Sequence, residues 1–471
     1  MLFNSPEFIV FIALFFVAWP ILRKWKTARW GYLTAASFFF YGWWDWRFVF
    51  LILASGFIDF FAAMAMVRWP SKRKLLLVAS IVGNVGSLGA FKYLDFFTGN
   101  INWIFACFGS DFSLPLLHFP LPVGISFYTF QSMSYTIDVY RGKLTPTRNV
   151  LHFFAYLAMF PQLVAGPIVR ATYLLPQLEH VVPTTEEKRW EGMRLIAYGF
   201  FKKMVVADTI APVVNNAFAM ETPLASCSYW WIVMVMFAFQ IYCDFSGYSD
   251  IARGLAKWMG YEFPLNFDHP YLSSSIREFW KRWHISLSSW FQDYVYIPLG
   301  GSRRGAAAGL RNMWIAMLVS GLWHGASWTF LAWGAMHALY LTIERKTRWP
   351  EKLAGIRGGR HIAVLVIFLM VLFAWVFFRA ESLDQAGVII LRMFDVGYPG
   401  VAAAAEFITW KAVLVTGLMI GRQAVVYSGL HDRKWRDSRW AVAAHTIAVG
   451  VLLTACVFFR GPGAAFIYFQ F

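Results

Sequence analysis

Charge is what this sequence has least of. Of 471 residues only 14% are Asp, Glu, Lys or Arg, against 59% hydrophobic and 19% aromatic. So few polar side chains cannot cover a soluble fold of this length, and the mean hydropathy of +0.51 says the same. Cysteine is scarce too. Cys107, Cys227, Cys243 and Cys456 stand alone without a CxxC pair, so neither a disulfide framework nor a zinc site is indicated. The GxSxG elbow, the HExxH helix, the Walker loop and the Rossmann glycine pattern are all missing. Any chemistry here must run through histidine, hydroxyls and backbone, with no metal and no bound cofactor expected. There is no internal repeat, although many transporter folds are built from one.

What fills the chain is long apolar runs. A span needs about 20 mainly apolar residues, and such runs recur near 7–22, 30–44, 48–67 and 75–92, then near 191–219 and 229–259, through 306–344, and near 361–378, 408–427 and 440–459. The expected fold is all-α: a polytopic helical membrane protein of about eleven transmembrane helices, with interfacial and re-entrant helices around a central cavity. Residues 1–471 are expected to form one integral domain. No basic residue precedes the first apolar run, the reverse of a cleavable signal peptide, so a retained first helix is expected.

The formal net charge of +16 would suggest nucleic acid in a soluble protein. Here the basic residues gather in short segments between spans: Arg23, Lys24, Lys26 and Arg29, then Arg68, Lys72, Arg73 and Lys74, then Arg303, Arg304 and Arg311. That is the positive-inside pattern of a membrane protein, with lipid as partner and no nucleic acid.

Two segments are too polar for lipid. From Pro122 the chain reads PVGISFYTFQSMSYTIDVYRG, whose polar stripe must face a cavity or other helices. After Cys243, Asp244, Ser246, Ser249 and Asp250 mark either a cavity wall or a helix leaving the membrane. Pro161, Gly166 and Pro167 break a third segment, which membranes tolerate only against protein or water-filled cavities.

The stretch from Ser273 to Trp328 concentrates the chemistry. Read as one helix, Arg277, Lys281, His284 and Ser288 recur at spacings of four, three and four and share a face. A basic, tryptophan-anchored surface helix fits the same pattern. His324 lies in an apolar run, and an ionisable group at membrane depth is a functional candidate by default. Buried imidazole favours its neutral form, able to accept a proton. A histidine hydrogen-bonded between helices fits equally, with Gly321 and Gly325 permitting close backbone approach. His337 is a second candidate among packing residues. His118, His152, His180, His269, His361, His431 and His445 lie near span ends or loops and carry no functional signal.

These segments resemble the membrane-bound O-acyltransferases, closest to their bacterial alginate O-acetylase branch. The resemblance rests on PVGISFYTFQSMSYTIDVYRG, FPQLVAGPIVR from Phe160, CDFSGYSD from Cys243, REFWKRWHISLSSWFQDYVYIPLGG from Arg277 and GLWHGASWTF from Gly321. It covers residues 1–345, and 346–471 match only as additional membrane helices. It implies transfer of an acyl group, expected to be acetyl, from a cytoplasmic thioester donor such as acetyl-CoA or an acyl carrier towards an extracytoplasmic polysaccharide hydroxyl. It also implies a multi-pass protein of a bacterial inner membrane, working with polysaccharide acetylation proteins. On this resemblance His324 of the WHG motif is the catalytic histidine and His284 the second family position. Arg277 and Lys281, on the shared helical face alone, are expected to hold anionic parts of the donor, and Ser288 and Trp323 are the other expected substrate-binding residues. D-alanyl or peptidoglycan O-acyl transfer on the same fold, and a non-enzymatic transporter or flippase, are the competing expectations.

Overall fold

The computed structural model describes residues 1–220, 226–397, 408–429 and 439–469. Among them the chain is helical without strands. Four helices are long and apolar enough to cross a membrane: Arg47–Arg68, Pro70–Cys107, Cys227–Met259 and Gly359–Arg379; Pro6–Leu22 and Ala443–Phe458 are shorter apolar helices. The span expected near 75–92 runs on to Cys107. A π-helical turn at Gly89–Tyr93 absorbs the glycine without ending the rod.

Two compact units make up the fold. Residues 1–195 with 251–264 form one, and 196–250 with 265–471 the other. In the first, the polar stripe after Pro122 becomes the helix Ile125–Tyr140, buried almost all round. Its hydroxyls meet other helices. Ser132 and Ser80 both donate to buried Asp59, and so does Asn84 Nδ2 at 2.9 Å. A buried polar group needs such partners, because leaving one unpaired costs about 1–3 kcal/mol. Arg29, grouped above with the basic connections, is buried in the helix Lys26–Gly42. Its guanidinium donates to Leu178 O (2.8 Å) and Glu179 O (3.0 Å) at the end of the helix Ala171–Glu179. A cation satisfies the orphan carbonyls there.

In the second unit, the acidic patch after Cys243 stays inside the 33-residue helix Cys227–Met259, with Asp244, Ser246 and Ser249 buried and Asp250 partly so. Its carboxylates pair with two lysines from a π-helical turn, Phe201–Ala207. Lys203 Nζ lies 2.7 Å from Asp244 and 2.9 Å from Asp208, and Lys202 Nζ 2.5 Å from Asp250. The polar residues that read as a cavity wall or a departing helix form an ion-pair cluster.

Candidate active site

The second unit holds the two histidines, and the segment carrying His284 is not the single helix that spacing suggested. The helix Ile276–Arg282 starts where Ser275 caps Glu278 N at 3.0 Å, and Glu344 accepts from Ile276 N at 2.6 Å. Trp283 then turns extended, His284 takes a left-handed backbone (φ +41°), and a new helix runs Ile285–Phe291. Arg277 and Lys281 therefore sit on one helix and Ser288 on another, with His284 at the joint. The four-three-four spacing does not place them on a common helical face.

The joint is held by Asn266, which sequence spacing did not single out. Its backbone carbonyl accepts from Ile285 N (2.9 Å), and its side-chain oxygen accepts from Ser286 N (3.2 Å) and Ser286 Oγ (2.9 Å). His284 Nδ1 is 3.2 Å from the same oxygen, while the Asn266 amide nitrogen donates to Ser249 Oγ at 3.2 Å. An oxygen facing the ring calls for a proton on Nδ1, which puts the lone pair on Nε2. A non-glycine residue in the left-handed region costs about 1–2 kcal/mol. Hydrogen bonds of about 0.5–1.5 kcal/mol each offset it.

His324 is the last residue of the helix Ala306–His324, just before extended Gly325. The chain then re-enters through Trp328–Thr347, started by Ser327. These two helices pack closely at Gly321, where an added Cβ would press on Phe330 O, and at Gly334, where one would meet Met317 O. That contact fixes the height of His324.

Both imidazoles face the same indole. The Trp323 ring lies 4.9 Å from the His324 ring and 6.1 Å from that of His284. Trp333 (4.9 Å), Phe378 (5.1 Å), Tyr468 (5.6 Å) and Phe330 (6.4 Å) also surround His324, and Phe245 stands edge-on to His284 at 4.6 Å. Both histidines are buried, so this is a dry aromatic box in which a proton transfer is shielded from water. Phe245 lies within CDFSGYSD, a motif legible in sequence; Phe378 and Tyr468 carried no sequence signal.

A separate group of predicted residues lines a cavity of about 610 Å³ in the same unit. Arg277, Lys281 and Ser288 are there, joined by Arg345 and Arg348. Four cationic side chains face two carboxylates, Glu344 and Glu351, and Glu344 is engaged by the backbone of Ile276 and Arg277. His284, His324 and Trp323 do not line this cavity. His337 is fully buried, stacked on Phe279 at 6.0 Å and edged by Trp280 and Trp333. It packs behind Trp280, inside the helix Trp328–Thr347. His431 lies outside the described residues.

The model of the membrane-bound O-acyltransferase family matches residues 144–383. The chain is 41% identical to the probable alginate O-acetylase of Azotobacter vinelandii over 403 residues, covering 84% of this chain and 79% of that one. It is 39% identical to the probable alginate O-acetylase of Pseudomonas aeruginosa over 443 residues, or 91% and 80% of the two chains. With the peptidoglycan O-acetyltransferase of Helicobacter pylori it shares 34% over 436 residues, or 85% and 81%.

Proposed function

Because the chain belongs to the membrane-bound O-acyltransferase family, we propose that it carries acetyl from a cytoplasmic acyl thioester, acetyl-CoA or an acyl carrier, to hydroxyls of an extracytoplasmic polysaccharide such as alginate. The site for this lies in a bacterial inner membrane, and polysaccharide acetylation proteins receive or direct the acetyl group. The reading rests on one observation above all: two buried imidazoles facing one indole.

In the proposed step, His324 takes the proton from the acceptor hydroxyl as its oxygen attacks the thioester carbonyl carbon. The C–O bond forms, the tetrahedral centre collapses, the C–S bond breaks, and the departing thiolate recovers the proton from the imidazolium. A general base in this role contributes roughly 10²–10⁴ in rate. His284, its tautomer set by Asn266, presents Nε2 to donor or acceptor. Phosphate groups of a CoA or phosphopantetheine donor suit the cationic cavity of Arg277, Lys281, Arg345 and Arg348.

The acceptor has a second reading. Similarity to a peptidoglycan O-acetyltransferase favours a cell-wall glycan. Acetate released by mild alkali from each envelope polymer, in cells with and without the protein, separates the two. Substituting His324→Ala tests the chemistry: acetylation is expected to vanish at normal membrane levels of protein, and unchanged acetylation would sink the mechanism.

A further inference from the structure

Attack on a thioester leaves negative charge on the former carbonyl oxygen, and preorganised donors aimed at that oxygen are usually the largest catalytic contribution. We propose that the hydroxyl of Tyr468 is that donor, a role that rests on the acyl-transfer reading above. The Tyr468 ring lies 5.6 Å from the His324 ring and 4.6 Å from Phe245, the residue edge-on to His284. Its hydroxyl is buried and, among the described residues, has no hydrogen-bond partner. A buried hydroxyl without a partner is costly, and its position beside the base gives it one when the oxyanion forms.

A second observation points the same way. The peptide before Tyr468 is bound at three points by the buried ion-pair cluster and its helix. Gly461 N donates to Met204 O at 2.8 Å, Lys203 Nζ to Ala464 O at 3.0 Å, and Ile467 N to Asp244 Oδ2 at 2.7 Å. Gly461 sits against the backbone of Asp208 and Thr209 with no room for a Cβ. Phe466 stacks on Tyr468 at 5.6 Å. Burying Lys203, Asp208 and Asp244 carries a desolvation cost, and the cluster ties down the segment that carries the phenol, as a preorganised donor requires.

In the balanced step, the acceptor hydroxyl loses its proton to His324 while the carbonyl π pair moves onto oxygen. Tyr468 O–H donates to that oxygen without losing its proton. When the C–O π bond reforms, the thiolate leaves and takes the proton held by His324. Trp323 also lies at 4.9 Å, and Trp333, whose ring is 4.9 Å from His324, is another donor nearby. Its indole is walled in by Trp280, His337, Trp375 and Phe378.

The test is the initial rate of alkali-labile acetate appearing on envelope polysaccharide in cells induced for the full chain, normalised to membrane protein level. Four variants are compared with wild type: Tyr468→Phe, Phe466→Leu, Trp333→Phe and His324→Ala. Tyr468→Phe keeps the ring and removes only the hydroxyl, so it is expected to slow transfer about 10²–10³-fold with unchanged thermal unfolding. Phe466→Leu removes the ring stacked on Tyr468 but keeps the hydroxyl, so it is expected to lose rate by clearly less than Tyr468→Phe. The proposal fails, with the acyl-transfer reading intact, if His324→Ala is dead while Tyr468→Phe is unaffected. It fails likewise if Trp333→Phe alone loses the rate, or if Phe466→Leu loses as much as Tyr468→Phe. Unchanged acetate in His324→Ala would overturn both.

Discussion

The side-chain oxygen of Asn266 lies 3.2 Å from His284 Nδ1, and it also receives the backbone N–H and hydroxyl of Ser286. One buried amide thus anchors the start of the helix Ile285–Phe291 and sets which imidazole nitrogen carries the lone pair.

Replacing Asn266 by Leu is accordingly expected to cost about 1–3 kcal/mol in stability, since Ser286 loses a buried acceptor. It should also lower acetyl transfer more than that destabilisation explains, because His284 loses its tautomer. Thermal unfolding of the purified protein, set beside transfer rates at equal protein level, checks both. Rates that follow stability alone would remove the positioning role.

The Lys203 ammonium faces two carboxylates, Asp208 at 2.9 Å and Asp244 at 2.7 Å. Lys203→Met leaves both buried without their cation, and breaking a buried pair in this way costs about 3–5 kcal/mol. The expected outcome is a large drop in unfolding temperature, recovered in part when Asp208→Asn is added. No recovery in the double variant would mean the charges are not coupled.

At the cationic cavity, Arg277→Ala and Arg345→Ala are expected to raise KM for an anionic thioester roughly tenfold each, with little change in kcat, the mark of lost ground-state binding. Added salt should weaken the wild-type interaction and matter less in the variants. Initial rates against acetyl-CoA concentration measure this. An unchanged KM would move donor binding elsewhere.

Gly321→Val puts a branched side chain against the Phe330 carbonyl and Gly334. Forcing the two helices apart is expected to cost about 1–3 kcal/mol, as overpacking does, and to abolish transfer by shifting His324. Gly417→Ala serves as the comparison, since no atom lies within 4 Å of a Cβ there. Activity loss in the Gly417 variant as well would show that any helix glycine is sensitive.

Much was legible from local pattern. Apolar runs of about 20 residues declare membrane helices whatever surrounds them, and the WHG and RWH motifs mark His324 and His284 because those residues are adjacent in the chain. Arg277, Lys281 and Ser288 were placed at one site for a mistaken reason. They share a cavity wall, yet the helix assumed to align them ends at Trp283.

Sequence by itself determined the membrane class, the helical content and the two histidine motifs, because each depends on residues within a turn or a span of one another. Tertiary structure alone decided the break at His284, the indole between the histidines and the seat of Tyr468. Asn266 reaches residues about 20 positions away, and Asp244 holds Ile467 across 223. Periodicity describes one helix at a time. A hydrogen bond between distant segments exists only after the chain has brought them together.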